Sequence, residues 1–308
     1  MATSRLTLLA LMTTLMFIGS ASSEPLSSLM KKPLRISSFN IQIFGASKFS
    51  KENVVQQLVR IIKRYDIVFV MEIRDSTEKV IEDLQLRVNS ELPACEQYGL
   101  VVSERLGRSS SKEQYAYFYK ESKVEVIEEY VFDDVDDIFE REPYVVRFRS
   151  SVAAVQDFAM IGCHIKPDDA INEMNNLVMV YDDFLTRNYN ELEDVIFAGD
   201  FNADCGYVGP TKWDQVTFRS DERFVWLIED DVDTTVALSE CAYDRFVIAG
   251  ESMAQAYVPG SADVYYFDSA HGLEHEEAKE VSDHYPIHLD LLPLPQLSQL
   301  QQEDRDEL

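Results

Sequence analysis

Two stretches decide the reading of this chain: Val195-Ile196-Phe197-Ala198-Gly199-Asp200-Phe201-Asn202, and Ser282-Asp283-His284-Tyr285-Pro286 ahead of His288–Leu292. In both, acidic or imidazole side chains sit beside an apolar segment of strand length and β-rich composition. The arrangement recurs. His164 ends the run Phe158–Cys163, Glu72 closes Ile67–Met71, and Asn40 lies within Leu34–Ile43. Polar groups gathered at strand ends describe the open end of a sheet, where ligands and metals are held.

Between these points strand and helix patterns alternate, then give way to strands. Apolar positions 54, 55, 58, 61, 62 and 65 predict a helix over Lys51–Tyr65 with Ser50 as its N-cap, and positions 80, 81, 84 and 88 predict another over Thr77–Leu92. Strands are expected at Tyr98–Val102, Tyr115–Tyr119, Lys123–Tyr130, Tyr144–Phe148 and Phe158–His164, then a helix at Asp169–Asn188. Val195–Ala198, Arg245–Ala249, Val264–Phe267 and His288–Leu292 complete the set. This order fits an α/β four-layer sandwich, two packed mixed β-sheets flanked by helices.

The chain has 308 residues, 46% of them hydrophobic, and no linker-like or repetitive stretch in its middle, so one domain over residues 34–292 is expected. Arg5, the apolar run Leu6–Ile18 and the small residues Gly19–Ser23 read as a secretory signal peptide over residues 1–22. The run is short for a membrane span, and no membrane association is expected. Removing residues 1–22 takes away one arginine and no acid, so the net charge of −27 becomes −28. Such a surface repels polyanions at long range. A nucleic-acid substrate would have to be held by local cations and bound metal. Residues 293–308 are rich in acid, Gln and Pro, and read as a disordered tail. The tail ends Arg305-Asp306-Glu307-Leu308, similar to an ER-retrieval signal, so the expected location is extracellular or the ER lumen.

Cys95, Cys163, Cys205 and Cys241 allow three pairings, and spacing does not choose among them. Cys163, inside an apolar run, is expected to be a buried free thiol. No zinc-type spacing occurs.

Two histidines at separate strand ends suit phosphodiester hydrolysis, in which water loses a proton and the leaving oxygen gains one. Each imidazole needs a carboxylate to fix its tautomer, and Glu113 and Asp244 are candidates. Glu72, Asp200, Asn202 and Asp283 offer the hard oxygen ligands that magnesium or manganese prefers.

Longer strings carry a resemblance. They are Phe39-Asn40-Ile41, Arg64-Tyr65-Asp66-Ile67-Val68, Glu72-Ile73-Arg74-Asp75-Ser76, Leu106-Gly107-Arg108, Lys112-Glu113 and Arg141-Glu142-Pro143. Gly199–Cys205, Cys241-Ala242-Tyr243-Asp244-Arg245 and Ser282–Pro286 follow in the same order. The chain from 34 to 292 resembles the deoxyribonuclease I family of the endonuclease/exonuclease/phosphatase superfamily. The resemblance implies an endonuclease that cuts double-stranded DNA with little sequence preference, leaving 5′-phosphate and 3′-hydroxyl ends. It implies catalytic pairs His164–Glu113 and His284–Asp244, and a magnesium site at Glu72 with Asn40. Asp200, Asn202 and Asp283 would orient metal and phosphate.

It further implies DNA contacts through Arg74, Arg108 and Arg141, with Tyr207 and Tyr243 near phosphates, and a Cys205–Cys241 disulfide. Calcium is implied at Asp134, Asp137, the Phe139 carbonyl and Glu142, and at a second site using Asp233 and Thr235. From the residues alone, the acidic loop around Asp133–Asp137 is equally a solvated turn. The chain departs from the family in places: Ser111 stands where a tyrosine is usual, and Gln42 replaces a phosphate-contacting arginine. Both departures imply weaker DNA affinity. The patch Leu100-Val101-Val102 matches the actin-binding version of some members only in part, so actin is a partner the residues do not argue for. A monomer is expected. Two other readings stay open: a same-fold phosphodiesterase or phosphatase acting on lipid or inositol phosphates, and a catalytically weak DNA- or actin-binding protein.

Overall fold

The computed structural model describes residues 31–187 and 191–294; the signal-peptide and tail expectations, and the last residue of the Asp169–Asn188 helix, lie outside them. Two six-stranded mixed sheets pack face to face. The first contains β1 (Leu34–Phe44), β2 (Ile67–Ile73), β3 (Tyr98–Val102), β4 (Gln114–Lys120), β11 (Asp263–Val264) and β12 (Ile287–Leu291), in the order β11-β12-β1-β2-β4-β3. The second contains β5 (Val124–Val131), β6 (Tyr144–Ser150), β7 (Asp157–His164), β8 (Val195–Asp200), β9 (Val225–Trp226) and β10 (Asp244–Ala249), in the order β5-β6-β7-β8-β10-β9.

Helices α2 (Glu52–Ile62) and α3 (Val80–Ser90) cover the outer face of the first sheet, joined by the short α1 (Ala46–Phe49), α7 (Phe267–His271) and α8 (His275–Val281). Helix α4 (Ala170–Thr186), with α5 (Thr217–Ser220), covers the second. α6 (Glu251–Ala256) leads out of β10.

Alternation along the strands explains both the core and the site. In β7, Phe158 and Met160 face the first sheet while Ala159, Ile161 and Cys163 pack against α4. Phe69, Tyr117, Phe148 and Phe158 stack through the interior with ring centroids 4.8 to 5.9 Å apart. Gly162 belongs there because any Cβ would lie 2.3 Å from the Phe69 ring. The same inward parity continues to His164 in β7, Asp200 in β8 and Asp244 in β10, so the chemistry sits where the inter-sheet core reaches one end of the strands.

Several expectations are corrected. Ser50 does not cap α2; its hydroxyl bonds the Ser47 carbonyl, and the N-cap position belongs to Lys51. Val264–Phe267 is not one strand, since Phe267 already opens α7. Five short helices, α1 and α5 to α8, were not anticipated. Each is seven residues or fewer, too short to display a helical period.

Candidate active site

The two histidines come from different elements and meet over one carboxylate. His164 ends β7, and its Nδ1 lies 2.7 Å from Glu113 Oε1. Its backbone N–H donates to the hydroxyl of buried Tyr115 at 2.9 Å. His284 precedes β12, and its Nδ1 lies 2.7 Å from Asp244 Oδ2. Its N–H donates to Ser282 Oγ, which in turn donates to the Asn40 carbonyl at 2.6 Å. The outward nitrogens converge: Asp200 Oδ2 is 3.6 Å from His164 Nε2 and 3.5 Å from His284 Nε2.

Gly199 makes this convergence sterically feasible. It holds φ of 151°, and a Cβ there would lie 1.8 Å from the Cys163 carbonyl oxygen, so β8 approaches the end of β7 only with glycine before Asp200. Asn202, itself at φ 48°, donates its N–H to Asp200 Oδ1 and its amide to the Ile165 carbonyl. In this structure its side chain braces the loop.

Glu72 reaches the site by breaking the strand pattern. Its neighbour Met71 points inward, with its sulfur 3.4 Å from the Asp200 nitrogen, so strict alternation sends Glu72 toward the helices. A register break in β2 and a left-handed backbone at Glu72 (φ 61°) bring the carboxylate back. There the Asn40 amide donates to Glu72 Oε1 and Asp200 Oδ2, both at 3.2 Å.

The electrostatics of the two pairs differ. Burial pushes the Glu113 carboxyl up, but His164 and the guanidiniums of Arg141 and Arg74 outweigh it and bring its pKa to about 2. Burial opposes charge on His164, yet Glu113 raises its pKa despite the opposing Arg141. Burial likewise opposes charge on His284, and Asp244, Asp200 and Asp283 overcome it, so this imidazole also holds its proton more tightly than a free one. Asp244 is different: burial pushes its pKa up and outweighs the lowering by His284.

The remaining candidates fall into groups. Arg74 and Arg141 belong to the centre: Arg74 Nη2 is 3.3 Å from both Glu72 and Glu113, while Arg141 Nε is 3.0 Å from Glu113 and donates to the His164 carbonyl. Arg108 lies on the surface, paired with Asp137 at 2.8 Å. Tyr243 extends the site, its ring 6.2 Å from the His284 ring and 5.6 Å from Tyr207.

Cys205 and Cys241 form the disulfide, with Cys95 and Cys163 free and Cys163 buried, as expected. It joins the loop after Asn202 to the segment carrying Asp244. Closing a loop of this length contributes about 3–4 kcal/mol. In the acidic loop Asp134 accepts the Phe139 N–H, and Glu142 Oε2 is buried without a hydrogen-bond partner. Asp233 Oδ1 accepts from Thr235 N, Thr235 Oγ1 and Cys241 N. Among the described residues, the group of three acidic, histidine or cysteine ligand atoms within 4.8 Å of one another is Asp204, Cys205 and Cys241, and its cysteines are already joined.

Sequence reasoning missed several supporting residues. Lys48, in α1, donates to the carbonyls of Ile41 and Gln42 at 2.9 and 2.7 Å, and burial lowers its pKa to about 8 against the carboxylates of Asp283 and Glu72. Glu173 in α4 accepts the N–H groups of Glu140 and Lys166, tying together the loops that carry Arg141 and His164. Neither carried a local signal, because both act across the fold.

A two-sheet sandwich with paired histidine–carboxylate dyads at one end defines a class. The family model described as "Endonuclease/Exonuclease/phosphatase family" matches residues 37–284, and the chain belongs to that family. Within it the chain is an enzyme of the deoxyribonuclease I family. It is 43% identical over 263 residues to deoxyribonuclease gamma of Mus musculus, covering 84% of each chain. To deoxyribonuclease-1 of Bos taurus it is 42% identical, covering 84% of this chain and 92% of that one. Solved structures share the fold at low identity. D. rerio TDP2 complexed with a single-strand DNA product gives a TM-score of 0.59 at 15% identity, covering 85% of this chain and 99% of that one. The Bacteroides thetaiotaomicron mannosyl-6-phosphatase Bt3783 gives 0.53 at 16%, covering 84% and 99%.

Proposed function

We propose that the protein is a divalent-metal-dependent endonuclease of the secretory pathway that hydrolyses double-stranded DNA with little sequence preference. The observation that carries this reading is the convergence of His164 Nε2 and His284 Nε2 on Asp200, each imidazole backed by its own carboxylate. One imidazole takes a proton from water as its oxygen attacks phosphorus. The P–O3′ bond breaks, and the other imidazole gives its proton to O3′. The products carry 5′-phosphate and 3′-hydroxyl ends. Positioned acid–base transfer of this kind contributes about 10²–10⁴-fold in rate.

The donor set fits a hard cation. Glu72 and Asp200 present carboxylate oxygens to either side of the Asn40 amide, and Asp283 Oδ1 is buried with no hydrogen-bond partner. Glu72, with Asn40 beside it, would hold magnesium or manganese, which when bound neutralises charge on phosphate oxygens. Asn202 and Asp283 complete the phosphate-facing rim. Calcium would be held structurally at Asp134, Asp137, Phe139 and Glu142, and at Asp233 with Thr235. Arg74, Arg108 and Arg141 supply cations toward the DNA backbone, and Tyr207 with Tyr243 an aromatic wall. The Cys205–Cys241 disulfide supports an oxidising compartment, extracellular or ER-lumenal. No helix among the described residues is long and apolar enough to cross a membrane.

The test is nicking of supercoiled plasmid with magnesium and calcium, against EDTA and against His164→Ala and His284→Ala. Metal-dependent nicking lost in both variants, with unfolding temperatures retained, supports the reading. Absence of cleavage by folded, disulfide-intact protein overturns it, and sphingomyelin hydrolysis by that sample would establish the lipid-phosphodiester alternative.

A further inference from the structure

Gln42 and Ile43 hold φ of 41° and 48°, two consecutive left-handed residues of which neither is glycine. For a β-branched residue such as Ile43 this conformation is a genuine outlier, and its side chain, 57% exposed, gains little packing in return. Strain that persists without packing must be held by specific contacts.

Three contacts hold this turn. Asn40 Oδ1 accepts the Gln42 N–H at 2.9 Å, and Glu72 Oε2 accepts the Ile43 N–H at 3.0 Å. The third is the Lys48 ammonium, which donates to the carbonyls of Ile41 and Gln42. The pairing of β1 with β2 stops at Asn40 and resumes at Phe44, so the ladder pins the ends of the turn but does not pair Gln42 and Ile43 themselves. Two of the three contacts end on Asn40 and Glu72, and the third is the only one made by a side chain outside those two.

We propose that Lys48 is a positioning residue: its ammonium clamps the left-handed Gln42–Ile43 turn, and the turn fixes the Glu72 carboxylate against the Asn40 amide. The inference rests on the reading that Glu72 works in the site. Loss of the clamp lets Ile43 relax toward ordinary φ, withdrawing its N–H from Glu72 Oε2. Groups that orient an oxygen ligand in this way are worth about 10–100-fold in affinity or activity.

The experiment uses the full, disulfide-intact chain. Lys48→Met is expected to lower kcat for plasmid nicking by about 10–100-fold with KM for DNA little changed. Magnesium binding without DNA, read by titration calorimetry, should weaken in step. Ile43→Gly in the Lys48→Met background should restore kcat toward the wild-type value, because glycine enters the left-handed region without penalty. A wild-type kcat in Lys48→Met, or a loss that glycine does not relieve, overturns the proposal. If neither the single nor the double variant folds, the lysine is a stability element and the proposal also falls. Glu72→Gln is assayed alongside: an active Glu72→Gln enzyme defeats the site reading itself, whereas an inactive one beside an active Lys48→Met defeats only the lysine's role.

Discussion

Arg74 Nη2 lies 3.3 Å from Glu113 Oε2, inside the cluster that supports His164. The same nitrogen is 3.3 Å from Glu72 Oε2, so one guanidinium links the carboxylate of a candidate catalytic pair to the candidate metal carboxylate. Arg108 is different: its partner is the exposed Asp137. Two arginines expected to meet DNA alike therefore have different electrostatic work.

That difference is measurable in salt. Arg108→Ala should reduce the slope of log(kcat/KM) against log salt by about 1, the signature of one lost phosphate contact. Arg74→Ala should lower kcat with a smaller change in slope, since its charge is already engaged by two carboxylates. Equal slope changes in the two variants would show that both act as simple phosphate contacts.

The pH profile should report the His284–Asp244 pair. The sign follows from the surroundings: burial opposes the imidazolium, and carboxylates led by Asp244 raise its pKa above the ordinary value. Asp244→Asn removes the largest of these and leaves the burial. His284 then loses its proton at lower pH, and the limb of the pH–rate profile it governs moves toward acid. NMR titration of the His284 ring in both proteins checks this directly. A resonance that titrates at the same pH in the variant would show that Asp244 does not set this histidine's charge.

Asp75 should carry part of the acid stability. Its buried carboxylate accepts from Thr77 N, Thr77 Oγ1, Lys79 N and Val80 N at the start of α3. Burial raises its pKa, but these bonds outweigh that and bring it to about 2. A carboxylate depressed from about 3.9 contributes roughly 2–3 kcal/mol above its unfolded value. The contribution disappears as pH falls from about 5 through about 2. Urea unfolding should show wild type more stable than Asp75→Asn at pH 6, with the gap roughly halved at pH 3 and closing only as pH falls through about 2. A gap independent of pH would remove the carboxylate's charge from the account.

The parts of the fold legible in sequence are those with strong local patterns. Long apolar strands were placed to within about two residues, and Tyr98–Val102 matches its strand end for end. His164, Asp200, Asp244 and His284 were legible because each borders such a strand. What escaped depends on partners far along the chain. The reversal at Glu72 requires a broken register against β4, and the role of Lys48 requires two carbonyls in the left-handed turn of β1. Arg141, expected from the resemblance as a DNA contact, gave no local sign that Glu113 and the His164 carbonyl surround it. Helix α8 carried a missed signal: Glu274 and Glu277 form a capping box, with glutamate in place of the usual hydroxyl residue.

The proposed second calcium site yields a test that separates metal from loop. Asp233 Oδ1 already receives three hydrogen bonds, one from the N–H of Cys241 in the disulfide. Asp233→Ala strands the backbone N–H groups of Thr235 and Cys241, so it should destabilise the protein by about 1–3 kcal/mol even in EDTA. If Asp233 also binds calcium, the stabilisation that calcium adds to wild type should shrink in the variant as well, because binding to the native state alone stabilises by mass action. Thermal unfolding of both proteins, with EDTA and across a calcium series, gives the two effects independently. An equal calcium increment in variant and wild type would leave Asp233 as a loop brace and remove the second site.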